Sequence, residues 1–234
     1  MDSDYASLIT RCANLSELRE IIYMTKEKYF PLDDLHPVPG DGKAPYPIIM
    51  GIFINPTARN VSAHSEWSGP RYPFVGIRSF WRVFHRAGIL DTAIMESIEG
   101  SRLWDGDLAT LVLGALNKAG VYLTNLVKRA YHGPQLPDQR VVQVFLPLLL
   151  KEIELVHPQC IVTFGRFTFF QLTRKGIKLD EYYHAIDEKG SLECFTLTAN
   201  SRSYRVIPCY FPVGRGDPVR AARILGRLWN SIKE

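Results

Sequence analysis

Met50-Gly51-Ile52-Phe53-Ile54-Asn55-Pro56-Thr57 is the stretch that decides the fold. The residues leading into it, Tyr46-Pro47-Ile48-Ile49, are apolar and rich in isoleucine, as suits a buried strand, because β-branched side chains pack well on a pleated sheet. The strand predicted over residues 46–54 stops abruptly at Asn55-Pro56. Proline forces the residue before it into extended or turn geometry and brings no N–H to a ladder. The apolar run therefore delivers one polar amide, Asn55, to the carboxyl edge of a sheet. In open α/β sheets ligands bind at that edge, although an asparagine there is also ordinary turn chemistry.

Upstream, residues 4–30 read as helical, with Leu8, Ile9, Leu15, Leu18, Ile21, Ile22 and Met24 on an apolar face and Asn14 or Ser16 capping a second helix start. Residues 31–45, with four prolines and two glycines, read as a loop or linker. The expected organisation is a helical extension and Pro-rich linker over residues 1–45, laid on a main domain over 46–234. Downstream, a long loop is expected to about Gly76, carrying Trp67, Tyr72 and Phe74. Loops of that length are usually functional or disordered, and exposed rings weigh toward binding.

Helices are predicted over 78–88, with Phe80, Trp81, Phe84 and Ala87 inward and Gly88 as the stop, and over 103–118. Residues 120–127 form a second strand, again with an asparagine, Asn125, near its end. Residues 141–156 read as a helix that Pro147 should kink or mark with an early turn. Residues 160–164 are a third buried strand, turning at Gly165 into a helix over 166–175. Residues 193–198 and 204–209 look like paired strands around Asn200-Ser201-Arg202. The last helix opens at Asp217-Pro218, an N-cap followed by proline in the first helical position, with Ala221, Leu225, Leu228 and Ile232 inward. Strands alternating with helices predict an α/β fold with a parallel central sheet covered on both faces.

The 234 residues are 46% hydrophobic and 22% charged, ordinary for a globular protein. No stretch approaches a transmembrane span and the N-terminus lacks a signal peptide's layout, so an intracellular protein, with no membrane partner, is expected. Cys12, Cys160, Cys194 and Cys209 form no C-x-x-C pair and have no histidine at finger-like spacing; Cys160 and Cys209 lie in apolar runs, as buried thiols do. The net charge of +4 permits an anionic partner without demanding one. Arg71, Arg78, Arg82 and Arg86 follow the first strand, and Arg202, Arg205, Arg215, Arg220, Arg223 and Arg227 crowd the C-terminal end. Such clusters serve either as guanidinium forks for phosphate or as solvated helix faces.

Three separated segments carry a family resemblance. Gly51-Ile52-Phe53-Ile54-Asn55-Pro56, then Tyr72-Pro73-Phe74, then Ser79-Phe80-Trp81-Arg82 through Ala87-Gly88, resemble the G-I-N-P, F-P-F and R-F-W-K-x-x-x-x-A-G succession of mismatch-specific uracil/thymine-DNA glycosylases. Leu123-Thr124-Asn125-Leu126-Val127-Lys128-Arg129 is similar to the F-T-N-M-V-E-R stretch of thymine-DNA glycosylases. Phe211-Pro212-Val213-Gly214-Arg215-Gly216 sits where the family has N-P-S-G-L-S or M-P-S-S-S-A, and Pro158 to Phe164 resembles the strand that ends in its N-G-K or L-G-K turn. The resemblance, to the uracil-DNA glycosylase superfamily, spans roughly residues 46–232. Three departures stand out: a longer loop between Asn55 and Phe74, no serine in the third segment and phenylalanine where other branches have histidine or asparagine, and no acidic residue at position 55.

The resemblance implies a three-layer αβα fold about a central, mainly parallel four-stranded sheet. It also implies a monofunctional enzyme that flips a base out of double- or single-stranded DNA and hydrolyses its glycosidic bond, acting as a monomer without cofactor or metal. Asn55 would hold the attacking water. A neutral amide cannot serve as a strong base, so only bases that leave easily, such as uracil, hypoxanthine or modified pyrimidines, suit such a site. Phe74 would stack on the extruded base, Asn125 would read its edge, and Ile54 would line the pocket. Gly214, Arg215 and Gly216, ahead of a helix N-terminus, would meet the DNA. His64 and His132 lie in neighbouring loops but a lone loop histidine is more often surface, so neither is assigned a catalytic role. Two other functions fit the same segments: a non-catalytic nucleic-acid-binding protein of this fold, motivated by the altered third segment, and a hydrolase of free nucleosides, against which the lack of a Gly-rich phosphate loop counts.

Overall fold

The structure, a computed structural model, describes residues 3–189 and 191–233. Four parallel strands, β2 (Ile49–Phe53), β3 (Val121–Asn125), β4 (Cys160–Phe164) and β6 (Arg202–Cys209), lie side by side in the order β3-β2-β4-β6. Two antiparallel strands extend the edges: β1 (Asp41–Gly42) beside β3 and β5 (Phe195–Ala199) beside β6. The expected four-stranded parallel sheet is thus the centre of a six-stranded mixed one.

Every residue of β2, β3 and β4 is buried, because both faces are covered. Alternate residues enter opposite cores, as the pleat dictates. Ile49 and Phe53 join one core with α3 (Arg78–Arg86), α4 (Thr92–Gly100), α5 (Gly106–Ala119), α8 (Leu179–Lys189) and α9 (Pro218–Lys233). Met50 and Ile52 join the other with α1 (Ser3–Arg11), α2 (Leu15–Tyr29), α6 (Gln139–Val156) and α7 (Arg166–Thr173). Gly51 faces the same core as Ile49 and Phe53, where no side chain fits: a Cβ there would lie 2.9 Å from Leu123 Cδ2 and 3.3 Å from Phe164 Cε2.

Helix boundaries follow capping chemistry. Asp91, Asp105 and Asp138 accept from the backbone N–H of Ile94, Leu108 and Val141 at 2.9, 2.8 and 2.9 Å, each satisfying a donor the helix leaves orphaned. Asn14 caps α2, accepting from Glu17 N at 2.9 Å. Asp217 caps α9, accepting from Arg220 N at 3.0 Å, with Pro218 following as expected. Between β5 and β6, Asn200 (φ 47°) and Ser201 (φ 63°) form a two-residue left-handed turn, whose twist matches that of the flanking strands.

Several expectations need correction. The helix expected over 103–118 begins at Gly106, and α4, capped by Asp91, precedes it. Pro147 marks no early turn: it lies inside α6, which continues past it to Val156. The carbonyl it leaves without an N–H partner belongs to Gln143, an exposed residue where water can take the bond. Helix α8 was not anticipated, nor was β1, which lies within the Pro-rich stretch and hydrogen-bonds to β3. Among the described residues no helix is long and apolar enough to cross a membrane.

Candidate functional site

The four parallel strands present their carboxyl ends to one side, and the segments leaving them meet there. Phe53, last in β2, is level with Asn125, last in β3. The chains stay joined past the strands: Leu126 N donates to Phe53 O at 2.7 Å, Val127 N to Ile54 O at 3.0 Å and Tyr131 N to Pro56 O at 3.1 Å. Ile54 and Phe211, leaving β2 and β6, both approach Gly165, which leaves β4; a Cβ on Gly165 would lie 3.8 and 4.0 Å from their side chains.

Asn55 is half-buried, and its Nδ2 donates to Pro56 O at 3.1 Å. That bond fixes the amide and leaves Oδ1 as the acceptor for an incoming group. The long loop after it is ordered by its own polar residues. Buried Asn60 donates to Tyr72 O at 2.9 Å and accepts from Ser62 N and Oγ at 3.1 and 2.9 Å. Tyr72 donates its hydroxyl to Ala109 O at 2.7 Å. The loop thereby places Phe74 beside the strand ends.

Phe74 has φ 67°, a conformation costly for a residue with a bulky side chain. Helix α3 holds it there. Its ring lies against Phe80 with centroids 3.9 Å apart and planes 6° from parallel. Its carbonyl accepts from Trp81 Nε1 at 3.1 Å and Ile77 N at 3.0 Å. Phe53 meets the same ring at 4.6 Å and Phe211 at 6.2 Å. The adjacent Phe-Trp pair at the start of α3 is therefore the clamp of Phe74, a role that its assignment to the helix's inner face did not reveal.

Asn125 is 1% exposed, and its Nδ2 is buried with no hydrogen-bond partner among the described residues. An unsatisfied buried donor costs stability, about 1–3 kcal/mol; the few that native proteins keep call for an explanation. Behind it lies a closed polar cluster. Lys128, wholly buried, donates to Asn125 O at 2.6 Å, to Glu152 Oε2 at 2.5 Å and to Thr124 Oγ1. Glu152 also accepts from Tyr122 at 2.9 Å and Thr124 at 2.9 Å. Burial lowers the Lys128 ammonium from its ordinary value against the opposing pull of Glu152, and burial beside Glu152 pushes the Tyr122 phenol well up. Glu152 was legible as an anomaly, a carboxylate within the core stripe Leu148, Leu149, Ile153, Val156.

At the end of β6, Gly214 takes φ 64° and Gly216 packs on the Phe211 carbonyl so closely that a side chain would collide with it. Arg215 stands apart on the exposed loop tip, bonded to nothing among the described residues. The same holds for Arg59 after β2, Arg166 after β4 and Arg140 at the start of α6. Most arginines singled out from the sequence are instead structural. Arg71 binds the carbonyls of Ser62, His64 and Trp67; Arg78 those of Ile98 and Ser101; Arg82 pairs with Glu99. Arg220, Arg223 and Arg227 tie α9 to Asp180, Tyr183 and Ile186 of α8. His64 bonds Ala58 O at 2.7 Å, and His132 bonds Asp34 at 2.8 Å on the surface.

Ile54, Asn55, Phe74 and Asn125 thus gather at one end of the sheet. The surface cavities beside α4–α5 and beside α8 include none of them. No curated protein matches the chain significantly. The sequence profile of the uracil DNA glycosylase superfamily matches residues 48–217, a span that holds all four parallel strands and every residue just described at their ends. The chain belongs to the uracil DNA glycosylase superfamily.

Proposed function

We propose that this protein is a monofunctional DNA glycosylase that extrudes uracil, hypoxanthine or a similar modified base and hydrolyses its bond to the sugar. The observation that carries the proposal is the buried, unpartnered amide nitrogen of Asn125, which lies level with Phe53, two residues before Asn55. A base edge offering a carbonyl would satisfy that donor, and the stability it costs in the free protein would return as selectivity. Asn55, its Nδ2 held by Pro56 O, presents Oδ1 to a water molecule. An amide orients water without deprotonating it, so positioning and stabilisation of the departing base must supply the rate. Phe74, backed by Phe80, gives the extruded base a fixed ring to stack on. With Phe74 8% and Asn125 1% exposed, entry requires the strand-exit segments to part, Phe211 among them.

The test is base release from duplexes holding uracil, hypoxanthine or a G·T mismatch. Excision of at least one is expected, falling about 100-fold or more in Asn55→Ala, the scale of a lost transition-state hydrogen bond. One observation favours a non-catalytic nucleic-acid binder instead: Phe211, an apolar ring, stands in the third segment and offers the leaving base no hydrogen bond. Salt-dependent binding to DNA with no base released from the panel would establish that alternative.

A further inference from the structure

We propose that Lys128 is a positioning residue: its ammonium grips the backbone carbonyl of Asn125 and so sets the amide that meets the base. This rests on the base-reading function proposed above. A lysine ammonium has three donors, and here all three are engaged, on Thr124 Oγ1, Asn125 O and Glu152 Oε2. The side chain folds back three residues onto the end of its own strand. The pairing of β1 with β3 reaches only to Leu123, so no strand neighbour on that side meets the Asn125 carbonyl. Lysine supplies the missing donor.

The rest of the turn is held in the same way. Leu126 N and Val127 N are bound to the carbonyls of Phe53 and Ile54, and Lys128 O accepts from Val38 N at 2.9 Å. Gly40 covers the cluster: a Cβ there would lie 2.4 Å from Glu152 Oε1 and 2.6 Å from the Tyr122 ring. Asn125 is consequently fixed relative to the β2 exit that carries Asn55. Stability alone does not require this arrangement, since buried ion pairs can often be replaced by apolar residues of like volume without loss. What an apolar pair cannot do is hold a carbonyl.

Two double variants separate these roles. Lys128→Met with Glu152→Gln removes the ammonium and all donation to Asn125 O. Lys128→Gln with Glu152→Gln keeps an amide donor directed at the same carbonyl from a side chain one bond shorter. If Lys128 positions Asn125, the first variant folds but excises uracil at least about 10-fold more slowly in single turnover, with a narrowed preference for uracil over thymine, and the second recovers much of both. Equal impairment of the two, or wild-type rate and preference in the first, overturns the proposal.

A second readout needs no activity. In ¹⁵N–¹H spectra the Asn125 side-chain amide shifts or broadens in the Met variant relative to wild type, and returns toward its wild-type position in the Gln variant. An unmoved Asn125 signal overturns the positioning role. Should the Met variant not fold, the Gln variant is read against wild type on the same spectra, where a displaced Asn125 signal with a native fold counts against donation. If wild type releases no base, the enzymatic function fails on its own and the spectra still decide the role of Lys128.

Discussion

Phe74 lies flat on Phe80 while its carbonyl is held by the indole of Trp81, so two adjacent helix residues fix both the ring and the backbone of a residue at φ 67°. A left-handed phenylalanine persists only where its surroundings over-determine it. Trp81→Phe keeps most of the packing and deletes the bond. It is expected to cost about 1–3 kcal/mol in denaturant unfolding and to slow base release by more than that loss explains at temperatures where the fold is intact.

The Asn125 amide nitrogen is a liability to the free protein. Asn125→Leu removes a buried donor without a partner, so its thermal midpoint should stay level or rise, by an amount equivalent to about 1 kcal/mol at most. Base release should fall in the same variant. A large loss of stability would mean that the amide has a structural partner and is not held open for a base.

Arg59, Arg166 and Arg215 are exposed, leave three different parallel strands and are bonded to nothing among the described residues. If each meets a phosphate, replacing it with glutamine flattens the plot of log affinity against log salt by about 0.9 per arginine on duplex DNA. Arg82→Gln, which removes an arginine already paired with Glu99, should leave the slope unchanged.

Stability should decline as pH falls from 7.5 to 5. His36 in the folded protein titrates below its ordinary value, first because it is partly buried and then because Arg71 and Lys26 are near, with Glu27 and Glu66 opposing. Between the folded and unfolded values the unfolded chain binds the extra proton, so this contribution is complete above the unfolded value and is lost as pH falls through the folded one. His157, lowered by burial and by Arg202, acts in the same direction. Urea midpoints at the two pH values should differ less in His36→Gln than in wild type.

Thiol accessibility offers a simple check on the cores. Cys194 is exposed, whereas Cys12, Cys160 and Cys209 are buried, and burial pushes those three thiols up. A disulfide reagent should titrate one thiol promptly in the native protein and four in denaturant.

What could be read from the sequence was what local chemistry decides. Strand β4 coincides with the predicted residues 160–164, because an apolar β-branched run is bounded by Pro158 and Gly165. Asp217-Pro218 announced α9, and two strands that each end near an asparagine pointed to the gathering of Asn55 and Asn125. Helix α8, rich in charge and tyrosine, has little apolar rhythm of its own. Tyr182, Tyr183 and Ile186 become core only once α9 brings its arginines alongside, some forty residues later. Strand β1 is two residues long and owes its existence to β3. Glu152 interrupts an apolar stripe of α6, but its partner Lys128 lies on a distant segment, so only tertiary packing identifies the buried ion pair.

The short strand at Asp41–Gly42 matters to anyone who trims the chain. A fragment begun at Tyr46 would bare the outer edge of β3, open a window onto Tyr122 and Glu152 beside the vacated seat of Gly40, and strip the apolar flank of α6 that α1 and α2 cover. Such a fragment is expected to self-associate along that edge, as unprotected strands do.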